Sequence, residues 1–440
     1  MSTGRKNPFL VVPSGLIIAF FIATQGLACA QQADIPPALI TESEAVDPSS
    51  TERIVERRPN LLWLKRTLHP ATWFAAGIRP ALRAAEKINL DDSESPKPPR
   101  NVGVKFGIRG HGQGAGIGPE VKPFHRNLFN RGIQVEMPLS ITYKNYQLAM
   151  VNMNVPMTDE VDRGLGIELT GRYTSRPSEN FFGIGKDSLE SDKAKYRGVM
   201  REAGGDFVTR IGELSLRVGA LYRSVGITRL RSYRSDSEVF QSQEIPGLTV
   251  DPVSTFLITR ASIEHDSRDN KDLPSRGGLQ QFEVRLNEGL TGGDFSYWQY
   301  RGELQHFFPL SSEGRHVLGI HGSVETNQAK GGSDVPFFDL PTIGGFRSLR
   351  GFDNRRFIDR SAMNGTVEYR YRIWRHFDWG FFLDAGQVAP EIGDFARNRF
   401  HKGYGMRFIV RARENRAFVI DMARSREEPF KLYVDFSPLF

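Results

Sequence analysis

The chain has 440 residues and a formal net charge of +7, and past its N-terminus no run of about 18 apolar residues could cross a membrane as a helix. The positive balance does not point to nucleic acid, because the arginines are scattered through strand-like segments rather than gathered in a patch interleaved with aromatics. A mean hydropathy of −0.39 would suit a water-soluble protein, but a membrane barrel averages to the same value because its strands alternate lipid-facing and lumen-facing residues.

Arg5 and Lys6 precede an apolar stretch from Phe9 to Leu27 that ends in Ala28-Cys29-Ala30. A basic head, an apolar middle and a small-x-small end describe a secretory signal peptide over residues 1–30. Two alternatives stay open: an uncleaved anchor, against which Pro13 counts, and lipidation of Cys29, against which Gly26 counts. Cleavage after Ala30 would remove the chain's one cysteine, and with it any disulfide, cysteine nucleophile or cysteine–metal site.

Residues 31–100 form a leader. Gln31 to Pro59 is polar and acidic, a composition expected to stay flexible. Leu61 to Leu64 and Trp73 to Ile88 read as short amphipathic helices interrupted by Pro70 and Pro80, and a charged Pro-rich linker follows. Packing on a periplasmic barrel rim or plugging its mouth, and lying in the membrane interface, are both open to these helices.

From residue 101 onward, period-two alternation recurs in segments of roughly ten residues. About sixteen such strands are expected, an even number that suits a single-chain outer-membrane barrel. They fall near 102–110, 112–121, 131–142, 146–156, 163–174, 194–210, 213–225, 254–267, 278–288, 296–309, 315–325, 363–374, 377–388, 402–412, 415–424 and 430–440. In the segment 363–374, Met363, Val367, Tyr369 and Ile373 share one face, and Asn364, Thr366, Glu368, Arg370 and Arg372 share the other. In 377–388, Phe377, Trp379, Phe381 and Leu383 oppose Asp378, Gly380, Phe382, Asp384 and Gly386. Glu368 and Asp384 thus fall on polar faces expected to line the lumen.

The connections are unequal. Ile211-Gly212, Leu310 to Gly314, Arg375-His376 and Arg413-Glu414 are short, whereas 175–193, 226–253 and 326–362 are long. Short periplasmic turns and long extracellular loops give this pattern when both termini are periplasmic. The last strand places Phe430, Leu432, Val434, Phe436 and the terminal Phe440 on one face, as an aromatic girdle requires. The expected fold is all-β: a 16-stranded antiparallel transmembrane β-barrel with a short, partly helical periplasmic N-terminal segment. His265, His306, His316 and His321 have no Ser/Asp constellation around them, and no Gly-x-Ser-x-Gly elbow, HExxH helix or phosphate loop occurs. No enzyme activity, cofactor or metal is expected.

Two stretches carry a family likeness. "FDLPTIGGFRSLRGFDNRRFIDRSAMNGTVEYRYRIW", followed by "FFLDAGQV", resembles the C-terminal barrel of the BamA/TamA superfamily, the bacterial surface antigen family of outer-membrane assembly factors. "EHDSRDNKDLPSRG" at 264–277 resembles that family's Asp-x-Arg-Asp turn. The resemblance covers about residues 100–440, densest from 255 onward. It implies that the sixth extracellular loop folds back into the lumen. Its tip, Arg350-Gly351-Phe352, would then dock on Glu368 and Asp384, with Phe382 and Gly386 beside them. It also implies a structural turn network of Asp266, Arg268, Asp269 and Arg276. The family's repeated periplasmic POTRA domains find no match in residues 31–100, which points to a POTRA-less branch.

The function implied by this likeness is help with inserting or translocating proteins or lipids at the outer membrane of a Gram-negative-type bacterium. The route would be a weak seam between the first and last strands. Gly103, Gly107, Gly110, Gly112, Gly114 and Gly116 crowd the first hairpin and either loosen its register or make room for aromatics. Outer-membrane lipids and unfolded outer-membrane protein clients are the expected partners of a monomeric barrel. The alternative is a pore or secretion channel plugged by the sixth loop.

Overall fold

A computed structural model describes residues 101–440, except 111–114, 159–162, 230–244, 248–252, 397–398, 413–414 and 437–440. The signal peptide, the leader, Gly112, Gly114 and Phe440 lie outside the described residues. The strands are β1 (Val102–Gly110), β2 (Ile117–Leu128), β3 (Ile133–Glu136), β4 (Leu139–Ile141), β5 (Gln147–Pro156), β6 (Arg163–Phe181) and β7 (Ala194–Ile211). Next come β8 (Leu214–Arg229), β9 (Ser254–Asp266), β10 (Gly277–Thr291), β11 (Ser296–Pro309), β12 (His316–Ala329), β13 (Thr342–Ile343) and β14 (Phe357–Ile358). The last five are β15 (Ser361–Trp374), β16 (Phe377–Ala389), β17 (His401–Ala412), β18 (Asn415–Ser425) and β19 (Lys431–Phe436).

Seventeen of these strands form one antiparallel sheet in which chain neighbours pair. β13 and β14 make a separate two-stranded ribbon, so β12 pairs directly with β15. β3 and β4 both pair with β2 and with β5, so the two pieces share one position in the wall. β19 returns beside β1. Closure is forced by the solvent: a sheet edge open to hydrocarbon would leave backbone groups without partners.

Alternation along the strands sorts the side chains. On β1 and on β15–β16 the apolar members point out, with Phe106 73% and Leu383 65% exposed, while Phe382 and Asp384 are buried on the inner face. Such an apolar outer surface is stable only against lipid.

Several strand bounds differ between the sequence expectation and the structure, with β2 running on to Leu128 and β12 to Ala329, and three of the differences have a local reason. The second strand begins at Ile117 rather than near 112, because Gly116, at φ +77°, belongs to the turn. β6 continues to Phe181, past a register shift between Arg176 and Glu179 around Pro177, because Phe181 is fully buried inside the barrel. The stretch read as one strand over 131–142 is divided at Pro138, which has no N–H for the ladder. At Gly103 the glycine makes room for an aromatic, since a Cβ there would lie 2.8 Å from the Phe124 ring.

One rim carries the long connections 182–193, 230–253, 330–360 and 390–400; the other carries mostly short turns, with 267–276 the exception. Loop 330–360 does not leave the barrel. Phe337, fully buried, packs edge-to-face on Phe181 at 5.3 Å and on Tyr196 at 5.2 Å, within a cluster that includes Phe256, Ile258 and Tyr297.

The outward face yields a direct test. Leu383→Arg should lower unfolding stability in a lipid bilayer by about 2–4 kcal/mol, the cost of a cation at mid-depth on a barrel's lipid face. Denaturant titration in vesicles measures it; an unchanged midpoint would mean that this face does not meet lipid.

Candidate functional site

The densest set of buried charges lies on the inner faces of β15–β19. Cross-strand registers bring it together: Glu368 lies opposite Phe382, Thr366 opposite Asp384, Gly403 opposite Asp384, Arg407 opposite Asp421, and Asp421 opposite Tyr433. Period two keeps all of these side chains on the lumen side.

Arg350, at the tip of loop 330–360 and 3% exposed, meets this wall. Its Nε and Nη2 donate to the two Asp384 carboxylate oxygens at 2.8 and 2.7 Å, and its backbone N–H donates to Asp384 Oδ2 at 2.9 Å. Nη1 reaches Glu368 at 3.4 Å and Asp421 at 3.3 Å. The guanidinium plane sits 3.4 Å from the centroid of Phe382. Arg407 completes the set with a fork onto Asp421 at 2.8 and 2.6 Å and a third bond to Glu368 at 2.8 Å. Two guanidinium groups thus share three carboxylates, and Thr366 Oγ1 donates to Asp384 at 2.9 Å. Planar multi-donor forks suit this sharing, whereas a lysine would bring a point charge.

Backbone geometry admits the tip. Gly351 has φ +92°, and a Cβ there would lie 2.8 Å from the Arg424 carbonyl carbon. Its N–H donates to the Tyr433 hydroxyl, which donates onward to the Phe352 carbonyl, both at 2.9 Å. A side chain at Gly403 would collide with the Arg350 carbonyl oxygen. Phe352 is fully buried with Phe357 and Val388, and Gly386 lies against Ile343 of the same layer.

Ion pairs extend the contact beyond the tip. Asp353 binds the ammonium groups of Lys193 and Lys431, while its N–H donates to Glu428 at 3.1 Å. Arg356 donates to Glu428 at 2.6 Å and to the Ser188 carbonyl at 2.7 Å. Nearer the start of the loop, Asp339 pairs with Arg223 and Tyr297 on the opposite wall. The loop therefore spans the lumen and is held on both sides.

The turn residues form a second, smaller network on the other rim. Asp266 takes Arg268 Nε at 2.8 Å and Nη2 at 3.0 Å. Asp269 accepts the backbone N–H groups of Asn270, Ser275 and Arg276 at 2.9, 2.8 and 3.2 Å. Arg276 takes part chiefly through its backbone, and its side chain, 70% exposed, adds a long ion pair to Asp269 at 3.9 Å. The turn folds inward: Leu273 packs on Ile409 and Val419, and Arg370 donates to the Pro274 carbonyl.

Sequence reasoning named Arg350, Glu368 and Asp384 but missed Arg407, Asp421, Tyr433, Lys193 and Glu428. Arg407 and Asp421 carried a usable signal, as charged residues in the middle of membrane strands.

An Omp85 superfamily domain model matches residues 127–410. The chain is similar to an outer membrane protein assembly factor BamA of Nitratidesulfovibrio vulgaris, 25% identical over 269 residues. That match takes in 60% of this chain but spans only 30% of the relative's length. It is also similar in fold to the crystal structure of BamA from Haemophilus ducreyi lacking POTRA domains 1–3. The TM-score is 0.57 at 17% identity, covering 77% of this chain and 70% of that one.

Gly351→Ala should cost about 1–3 kcal/mol of local stability, the range for a residue forced into a sparsely populated backbone region. Faster amide exchange at 350–353, with the strands unchanged, is the expected readout. A second expectation concerns acid. Burial pushes the Asp353 carboxyl up, but the ammonium groups of Lys193 and Lys431 outweigh it and hold the carboxyl below its usual range. A depressed carboxylate stabilises the fold above its unfolded value of about 4, and that contribution is lost as pH falls through the lower folded value. Protease cleavage at the tip should rise below about pH 4, and Asp353→Asn should remove that acid-dependent part.

Proposed function

The chain belongs to the Omp85 superfamily, and on that premise we propose that this outer-membrane β-barrel assists insertion or translocation of proteins or lipids at the outer membrane. The route is local opening between β1 and β19. The observation that carries the reading is the loop across the lumen: loop 330–360 is held by Arg223 on one wall and by Asp384 on the other, which favours the wall over the bore as the passage. β1 supports it, because three of its nine residues are glycines, which leave few side chains to pack across the joint with β19. An edge freed there could pair with an incoming strand through main-chain hydrogen bonds. Unfolded outer-membrane proteins and membrane lipids are the corresponding partners, of a monomeric barrel. The rim with the long connections faces outward and both termini face the periplasm. The docked tip then fixes the wall opposite the loop's other anchor while the seam moves.

The same loop favours a second reading, a channel that conducts when the loop leaves. Deleting 340–358 would then raise conductance in planar bilayers, and very low conductance with and without the loop would count against the channel.

A reversible tether tests the seam. A Cβ on Gly110 would lie 3.9 Å from the Asp435 carboxylate, so Gly110→Cys with Asp435→Cys places two thiols across it. Oxidised protein in vesicles should remain a folded barrel but lose the ability to speed folding of an eight-stranded outer-membrane client, and reduction should restore it. Undiminished assistance in the oxidised form would overturn the seam.

A further inference from the structure

β2 sits inside the sheet, yet it is built like an edge strand on one side only. The Met137 N–H donates to the Pro123 carbonyl at 2.9 Å, so Pro123 faces the position shared by β3 and β4. In an antiparallel ladder a residue facing this way should return a bond from its own N–H, and proline has none. Pro119 lies four residues earlier, and strand alternation turns it to the same neighbour. The register Glu120 to Ser140 places Pro119 opposite Ile141. Both missing donors therefore point at β3 and β4, and neither points at β1. Pro138 interrupts the facing wall at the same height and leaves β3 and β4 as separate pieces. A register shift between His125 and Leu128 adds a third irregularity to this joint.

The other side of β2 is different. β1 and β2 pair without a break from Val102–His125 to Gly110–Ile117. The Arg109 fork holds Glu120 at 2.6 and 2.9 Å within that hairpin. Side-chain contacts also cross the joint, among them Lys122 with Glu136 at 2.6 Å and Thr142 Oγ1 donating to the Ala115 carbonyl at 2.6 Å. Proline is excluded from the middle of a sheet because it wastes a ladder bond, and in hydrocarbon the cost is larger. The carbonyls of Met137 and Ile141 face a strand that cannot donate to them. An extended segment carrying N–H groups at both places would pair there better than β2 does.

We propose that the joint between β2 and β3/β4 is a second opening in the wall, where an extended polypeptide strand pairs with β3/β4 while β1 and β2 move aside as one hairpin. It rests on the reading that the barrel takes in unfolded protein, and it changes where the client strand is held.

The test has two arms. In lipid nanodiscs, the amides of Val135, Met137, Leu139 and Ile141 should exchange at least about tenfold faster than those in the middle of β7 and β8. Pro119→Thr with Pro123→Thr, which restores both donors, should slow them. This arm needs no client, so slow exchange in the unaltered protein overturns the joint whatever the function. In the second arm, a benzophenone on Leu139→Cys is challenged with a synthetic peptide of residues 430–440 of this chain. Cross-linking at 139 that disappears in a Val121→Cys, Leu139→Cys disulfide, judged from a neighbouring label on Met137→Cys, supports the proposal. Cross-linking only from a label on Asp435→Cys overturns it and leaves the β1–β19 seam standing. Cross-linking from neither position overturns both.

Discussion

A guanidinium inside a membrane barrel persists only where carboxylates surround it, since an unpaired charge there carries a large desolvation cost. Arg350 meets that condition with Asp384, Glu368 and Asp421, and the surrounding structure is arranged around it. The partners come from three strands, so the wall must be paired in one register for the carboxylates to converge. Arg407 shares two of them, which ties a fourth strand into the set. The tip can approach only because Gly403 leaves room for its carbonyl and Gly351 takes a left-handed backbone. Tyr433 on β19 binds both sides of that glycine through one hydroxyl.

The consequence is a division of the barrel into a held half and a freer one. Loop 330–360 reaches Arg223 and the aromatic cluster on one side and β15–β19 on the other, and turn 267–276 enters from the opposite rim. Phe346 of that loop packs against the cluster containing Leu273 and against the wall cluster containing Tyr433, so the inward segments from the two rims meet. The first strands carry fewer such ties. β1 is short, β2 holds two prolines, and β3 and β4 divide one position between them. Under the proposed function, such unevenness supplies a firm wall to hold shape and a weaker one to yield.

Much of this was legible in alternation. Parity alone set Glu368 and Asp384 on the lumen side, and the strands around Ser296–Pro309 and Val102–Gly110 have the bounds that the pattern gives. Arg350 needed the family likeness, because nothing in a loop's composition says that it turns inward. Asp421 and Arg407 were readable as charges in membrane strands, but their meeting depends on the β17–β18 register, which no local signal sets. Lys193 and Glu428 come from two other loops, and their ion pairs arise only once loop 330–360 has folded in. Pro138 was visible, yet its effect was not: the residues around it alternate so regularly that the break hides within the pattern.

The most direct measurement is a double-mutant cycle between Arg350→Ala and Asp384→Ala, read as unfolding free energy in vesicles. If the loop tip is held by this pair, each single change is costly, and the coupling should be about 2 kcal/mol or more, within the range for contacting charged residues. Additive losses, with coupling near zero, would mean that the tip is held elsewhere and would contradict the account.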